Sequence, residues 1–285
     1  MSHLREIRHR IQGVKKTQQV TRAMKMVAAT KLRRCQQALL KMRPYAEYLE
    51  DIISALLTDE ELPVNPLLAP STGNQLHVLV MAGDRGLCGG FNTTIFRYAD
   101  TVIRSHEGPL HVTVFGRKAV EYFMHKQVRI DESYVDLDRL DFLELSRYIT
   151  EKLIRRYASG EIAQIVIIYS RFHNIMQQQV IGDAVLPLAF DPQSSSRKHL
   201  DYIFYPDSAL VLDQLLPRYV SWHVYRALRE TMASLYGARM TAMDMATRNA
   251  GELINRLVLD YNQERQATIT RELIEIISGA EALNR

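Results

Sequence analysis

The feature that most constrains the fold is a heptad pattern that runs through residues 3–57 almost without a helix breaker. Apolar side chains recur at alternating spacings of three and four residues over eight heptads, and 13 of the 16 seam positions are apolar. The only glycine and proline in this segment are Gly13 and Pro44. A repeat of this length predicts a long helix that packs against a partner helix as a coiled coil. Because the pattern continues past Pro44, we expect this residue to kink the helix rather than end it.

Three consecutive seam positions break the pattern, since Gln18, Thr21 and Lys25 are polar. Within this gap the apolar residues shift to another side of the helix, at positions such as Val20 and Val27. We therefore predict that the seam fails here and that another partner takes the place of the paired helix.

A second long helix is predicted for residues 208–285, with seam spacing at residues such as Met243, Leu253 and Ile269. At 1.5 Å per residue the two terminal helices would be roughly 80 and 110 Å long, far longer than a small globular domain needs. The simplest arrangement is an antiparallel pair that forms a stalk.

The region between the helices is predicted to be a small α/β domain at 76–207, joined to the first helix by a proline-rich linker at 58–75. Strand and helix patterns alternate there, which is typical of a mostly parallel sheet. The predicted strands are 76–81, 111–115, 128–130, 162–169 and an antiparallel edge strand at 178–188, with helices at 91–105, 117–123 and 138–157 and a polar loop at 190–207. The predicted fold class is thus α/β, with an antiparallel two-helix coiled coil formed by residues 1–57 and 208–285.

Charge is distributed unevenly along the chain, although its formal net charge is only +4. Residues 1–43 carry 12 basic side chains and one acidic side chain, whereas residues 44–207 carry 15 basic and 22 acidic side chains. The basic helix favours contact with an acidic protein surface. Nucleic-acid binding remains an alternative, but no aromatic residue precedes Tyr45 to stack on bases.

One glycine-rich segment, GDRGLCGGFN at 83–92, lies between a predicted strand and a predicted helix. Backbone amides in such a turn can bind a phosphate at the helix N-terminus. The segment lacks the GK[ST] ending of a P-loop, so we favour a structural turn or a protein-contact loop.

The sequence shows no legible catalytic or metal-binding pattern. Cys35 and Cys88 are far apart and form no CxxC motif, which favours a reducing compartment without a zinc site or a disulfide framework. The longest aliphatic and aromatic run, residues 165–169, is too short to span a bilayer, and the N-terminus has no apolar core of a secretory signal. We expect no catalytic residue, bound cofactor, metal ion or membrane span.

Four segments resemble the gamma subunit family of F-type ATP synthases, in that family's order and spacing. They are RIQGVKKTQQVTRAMKMVAATKLR at 10–33, DRGLCGGFN at 84–92, ARMTAMDMATRNAGELI at 238–254 and YNQERQATITRELIEIISGAEAL at 261–283. The resemblance implies a central shaft that rotates inside a hexamer of alpha and beta subunits. It also implies that the shaft couples transmembrane proton flow to ATP synthesis or hydrolysis on the beta subunits.

The resemblance further implies a set of contact residues. Contacts with the beta subunit are expected at Arg22, Met24, Lys25, Arg239, Arg265, Gln266 and Thr270. Contacts of the foot with the epsilon subunit and the c-subunit ring are expected at Phe204, Tyr205 and Asp207, where this chain departs from the family's Tyr-Glu-Pro-Asp. The glycine-rich signature comprises Asp84, Arg85, Gly86, Gly89 and Gly90. The implied location is the cytoplasmic face of the bacterial inner membrane, as a peripheral part of the complex.

Two other interpretations come from different functional classes. A nucleotide-binding α/β enzyme could use the long helices as oligomerisation arms, and it would bind nucleotide as an isolated chain. A basic coiled-coil protein could bind nucleic acid with an affinity that falls steeply with salt.

Overall fold

The computed structural model describes residues 2–57, 65–71, 73–190, 205 and 207–283. The helices are α1 (Ser2–Leu56), α2 (Phe91–Arg104), α3 (Arg117–His125), α4 (Phe142–Ala158) and α5 (Ser208–Leu283), with a 3-10 turn at Leu137–Arg139. The strands are β1 (Gln75–Met81), β2 (Leu110–Phe115), β3 (Glu132–Tyr134), β4 (Ile162–Phe172) and β5 (Gln178–Leu186). The predicted α/β class and both long terminal helices are confirmed. Parts of the predicted linker, 58–64, and of the predicted polar loop, 191–204, lie outside the described residues.

The five strands form one mixed sheet in the order β3-β2-β1-β4-β5. All neighbours pair in parallel except β4 and β5, which are antiparallel, as predicted for the edge strand. Parallel crossovers are right-handed, so α2 and α3 cover one face of the sheet and α4 the other. The second face also receives α5, because the hydroxyl of Ser221 on α5 lies 3.3 Å from that of Ser146 on α4.

Two predicted elements differ from the structure, because one predicted strand is absent and one predicted helix starts later. The predicted strand at 128–130 does not form, because the amide of Val128 bonds to the carbonyl of Phe123 and closes α3, so that pairing begins only at β3. The predicted helix at 138–157 starts later, since the carboxylate of Asp141 caps α4 by accepting a hydrogen bond from the amide of Leu143.

The chain divides into two compact units, and each long helix contributes to both. We call Ala29–Arg239 the sheet unit and Met1–Ala28 with Met240–Arg285 the helix-pair unit. The core of the sheet unit is formed by fully buried aliphatic side chains on the strands together with the inner faces of the helices. Pro44 lies within α1, which continues past it as predicted.

The helix-pair unit consists of α1 and α5 in antiparallel contact. The side-chain amide of Gln18 donates to the carbonyl of Thr247, while Lys25 pairs with Asp244. Residue numbers on α5 therefore fall as those on α1 rise, which is the antiparallel arrangement that the sequence predicts. None of the helices in the described part of the chain is long and apolar enough to cross a membrane.

Candidate partner-binding surfaces on the long helices and the glycine-rich turn

The predicted break in the α1 seam does not occur. Gln18, Thr21 and Lys25 all lie on the side of α1 that faces α5, and Thr21 is buried. The hydroxyl of Thr247 donates to that of Thr21 over 2.8 Å. The seam stays closed because polar groups on α5, the carbonyl of Thr247 among them, pair with the three polar residues of α1.

Lys25, which the resemblance places in contact with the beta subunit, has a partner within the chain. Its Nζ lies 2.5 Å from Oδ1 of Asp244, and the guanidinium of Arg248 lies 2.7 Å from Oδ2 of the same carboxylate. The hydrogen bond from Lys25 lowers the pKa of the Asp244 carboxyl below its ordinary value. We call these side chains, with Gln18, Thr21 and Thr247, the polar layer of the helix pair.

The seam on α5 also differs from the prediction. Leu253 is 39% exposed, and its neighbour Ile254 takes the inward position. Ile269, another predicted seam residue, is 48% exposed.

The predicted beta-contact residues lie at two levels of the helix pair. Arg22 is exposed and Met24 half-buried on α1, near the level of Asp244. Arg265, Gln266 and Thr270 are exposed on α5. At 1.5 Å per residue the two levels are about 30 Å apart along α5, so these side chains form two separate surfaces.

The carboxylate of Asp84 organises the glycine-rich turn. Its two oxygens accept hydrogen bonds from the backbone amides of Arg117, Asp136 and Leu137, which joins the turn after β1 to the segments after β2 and β3. Gly116 permits this close approach, because a Cβ there would lie 2.5 Å from the carbonyl oxygen of Ala82.

The other signature residues lie around this anchor. Arg85, Gly89 and Gly90 are exposed and Gly86 is half-buried, while Gly90 immediately precedes α2. The turn also packs on α5, since a Cβ on Gly83 would lie 2.9 Å from a methyl of Leu235. These contacts give the turn a structural role.

Arg239, a predicted beta-contact residue, is held inside the sheet unit. Its guanidinium donates to the carbonyl of Arg85 over 3.2 Å and lies over the ring of Tyr236. The hydrogen bond fixes α5 to the glycine-rich turn, whereas the contact with Tyr236 lies within α5 and orients the Arg239 side chain.

A junction that sequence reasoning missed joins both long helices to the sheet. The Nζ of Lys31 on α1 lies 2.6 Å from Oδ2 of Asp138, and the hydroxyl of Tyr236 on α5 donates to Oδ1. Burial raises the pKa of Asp138, but these two hydrogen bonds outweigh it and the pKa lies below its ordinary value. Burial and the same carboxylate raise the pKa of Tyr236. The three residues are more than 90 positions apart in sequence, so no local pattern could have revealed them.

Two of the predicted foot residues can be located. Tyr205 is 89% exposed, and Asp207 is exposed while its carbonyl accepts the hydrogen bond from the amide of Val211 at the start of α5. Phe204 lies outside the described residues. Among the described residues, no group of three His, Cys, Asp or Glu side chains is arranged to hold a metal ion.

Comparison with known proteins gives a consistent result. A family model described as ATP synthase matches residues 3–283. ATP synthase gamma chains from Desulforamulus reducens and Moorella thermoacetica are 41% and 38% identical over 283 residues, which cover 99% of this chain and all of each relative. The chain belongs to the ATP synthase gamma-chain family. A third family member, from Chlorobaculum tepidum, is 38% identical over the full length of both chains.

Solved structures show the same fold. A chain in the cryo-EM structure of Euglena gracilis mitochondrial ATP synthase in rotational state 3 has a TM-score of 0.69 and 22% identity, covering 99% of this chain and 95% of that chain. A chain from the central stalk and c-ring structure of Tetrahymena thermophila mitochondrial ATP synthase has a TM-score of 0.59 and 23% identity, with 80% and 99% coverage.

Proposed function

We propose that this chain is the rotating central stalk of an ATP synthase, which couples transmembrane proton flow to ATP synthesis or hydrolysis on the beta subunits. The observation that carries the proposal is a full-length match to gamma chains together with two long antiparallel helices that run through both units. A shaft of this kind needs no active site of its own. We therefore also propose that the chain binds no cofactor and contributes no catalytic residue.

The contacts within the chain suggest how it would transmit torque. The junction of Lys31, Asp138 and Tyr236 ties both long helices to the sheet unit. Both α1 and α5 are unbroken helices, and we expect torque to be carried along them. The polar layer opposes sliding of one helix against the other, because each of its hydrogen bonds specifies one register.

The exposed residues are the better candidates for direct contact with a ring of alpha and beta subunits. Arg265, Gln266 and Thr270 present polar groups to solvent, and Arg22 adds a positive charge at the other level. Lys25 and Arg239 already have partners within the chain, so we propose that they position the helices in addition to any contact with beta.

The other proposed partners are the epsilon subunit and the c-subunit ring, met by the surface near Tyr205 and Asp207. With these partners the chain would lie peripherally on the cytoplasmic face of a bacterial inner membrane.

Reconstitution with alpha and beta subunits of a bacterial ATP synthase tests this proposal. Native mass spectrometry should find one copy of the chain for each ring of three alpha and three beta subunits, and ATPase activity should depend on the chain. Failure of the folded chain to assemble with competent partners would contradict the proposal, as would specific nucleotide binding by the isolated chain.

Substitution of the outer contact residues makes the test sharper. Arg265→Ala with Gln266→Ala should impair assembly or coupled turnover because the hydrogen bonds to beta are lost, while the isolated chain stays folded. The matched control is Asn262→Ala with Gln263→Ala, two exposed residues one turn earlier on α5, which should leave both readouts unchanged. Equal losses of assembly or turnover in the two double variants would contradict the assignment of Arg265 and Gln266 as contacts with beta.

A further inference from the structure

A large groove in the sheet unit has no role in the shaft described above. It lies between α1, α4 and α5 and has a volume of about 980 Å³. Its apolar lining includes Met42 on α1, Leu143 and Ile154 on α4, and Trp222 and Tyr225 on α5. Leu143 at its edge is 42% exposed, so part of this apolar lining faces solvent.

The charged side chains of the groove are mainly positive. Arg147 and Arg155 from α4 and Arg218 from α5 line it together with a single acid, Glu151. Glu151 is paired with Arg155 at 2.9 Å. Arg147 and Arg218 are exposed and make no ion pair with another residue in the described part of the chain. Among the described residues, the groove therefore offers two guanidinium groups without an acidic partner, one from each of two helices.

One buried polar group in the groove also lacks a partner. Thr150 on α4 is 3% exposed, and its Oγ1 makes no hydrogen bond in the structure. A buried hydroxyl without a partner costs free energy. Nearby, the hydroxyl of Ser146 donates to the carbonyl of Leu143 and lies 3.3 Å from the hydroxyl of Ser221.

We propose that this groove binds an amphipathic helix of a partner protein, with one apolar face and acidic side chains along its edge. A groove between helices is the usual receptor for the apolar face of such a helix. Trp, Tyr, Met and Arg are the residues enriched in the energetically important parts of protein interfaces. The guanidinium groups of Arg147 and Arg218 determine the charge of the partner, because arginine forms bidentate hydrogen bonds with carboxylates. This inference does not depend on the proposed rotary function.

Trp222 makes the proposal directly measurable, because it is the only tryptophan in the chain and it lines the groove. The probe is a synthetic helical peptide of about five turns, with leucine on one face and glutamate along both edges, titrated into the full chain. We expect a saturable change in Trp222 emission. The same peptide with lysine in place of every glutamate should bind at least tenfold more weakly.

Variants of the chain test the assigned residues. Arg147→Glu with Arg218→Glu should weaken binding of the acidic peptide at least tenfold and improve binding of the lysine peptide. The matched control is Arg97→Glu, an exposed arginine on α2 at the opposite face of the sheet, which should change the affinity less than twofold. Circular dichroism of each variant checks that the fold is retained.

Several results would overturn the proposal. These are the absence of saturable binding of the acidic peptide, equal binding of the acidic and basic peptides, and unchanged affinity in the double arginine variant. A change in Trp222 emission that follows dimer formation of the chain in sedimentation, without peptide, would instead assign the groove to a second copy of the chain.

Discussion

The same helix, α1, is held in two different ways in the two units. In the sheet unit Ile53 and Leu56 are 0% exposed, because they belong to the continuous hydrophobic core of this unit. In the helix-pair unit, seam residues such as Ile11 and Val14 are only half-buried, since a single helix covers them. Apolar seam residues of α1 therefore contribute more to stability in the sheet unit than in the helix-pair unit. In the helix-pair unit, where these residues are only partly buried, the hydrogen bonds of the polar layer fix the register of the two helices.

The largest expected effect is a difference in unfolding free energy between matched substitutions in the two units. Ile53→Ala should lower the free energy of unfolding by about 4 kcal/mol, because it leaves a cavity in a fully covered core. The matched change Ile11→Ala should cost about 1 kcal/mol, since its side chain is partly solvated already. Chemical denaturation of both variants measures the difference, and equal losses would break the comparison.

The second prediction concerns the pH dependence of stability that the buried imidazole of His77 gives to the sheet unit. His77 is 4% exposed, and burial, assisted by the charge of Arg156, lowers its pKa to about 4. Its Nε2 lies 2.9 Å from the hydroxyl of Thr113. The folded state therefore binds this proton less readily than the unfolded state, in which the pKa is near 6.5.

The sign of the pH dependence follows from that difference. The contribution of His77 to stability is fully present above pH 6.5 and is lost as the pH falls towards 4, by about 3 kcal/mol in total. His77→Gln should remove this part of the pH dependence when unfolding free energies are measured from pH 7 to 4. His125→Gln, an exposed control on α3, should keep it, and identical profiles for both variants would contradict the assignment.

The smallest effect is expected in the polar layer. Side chains of Lys25 and Asp244 are 41% and 28% exposed, so their attraction is screened by solvent. A double-mutant cycle with Lys25→Ala and Asp244→Ala should give a coupling smaller than the loss caused by Ile11→Ala, and the coupling should shrink further in high salt. A coupling that exceeds that loss would mean that the pair, rather than apolar burial, holds the helices together.

Local patterns predicted the long helices well because their signal repeats over many turns. The bounds of α1 and α5 agree with the sequence to within one or two residues, and the edge strand was also predicted. The gap at Thr21 was misinterpreted because its partner, Thr247, lies 226 positions away. The wrong prediction of a strand at 128–130 has a local cause. This segment resembles a strand in its apolar residues, but the amide of Val128 closes α3.

The candidate surfaces were less predictable because their contacts join residues that are far apart in sequence. Resemblance supplied Arg265 and Gln266, but it could not indicate that Arg239 bonds to the carbonyl of Arg85. The junction at Asp138 and the grouping of arginines in the groove depend on which elements meet in three dimensions. Such contacts carry no signal at the spacing of a helix or a strand.

The most direct test of the central claim is a rotation measurement. Both native cysteines are buried, so Met124→Cys, at a position 67% exposed on α3, provides a selective attachment point for an optical probe. In a complex of the labelled chain with immobilised alpha and beta subunits, ATP should drive rotation of the probe in one direction. ATP hydrolysis with a probe that stays fixed, or that moves without preferred direction, would contradict the assignment of this chain as a rotating shaft.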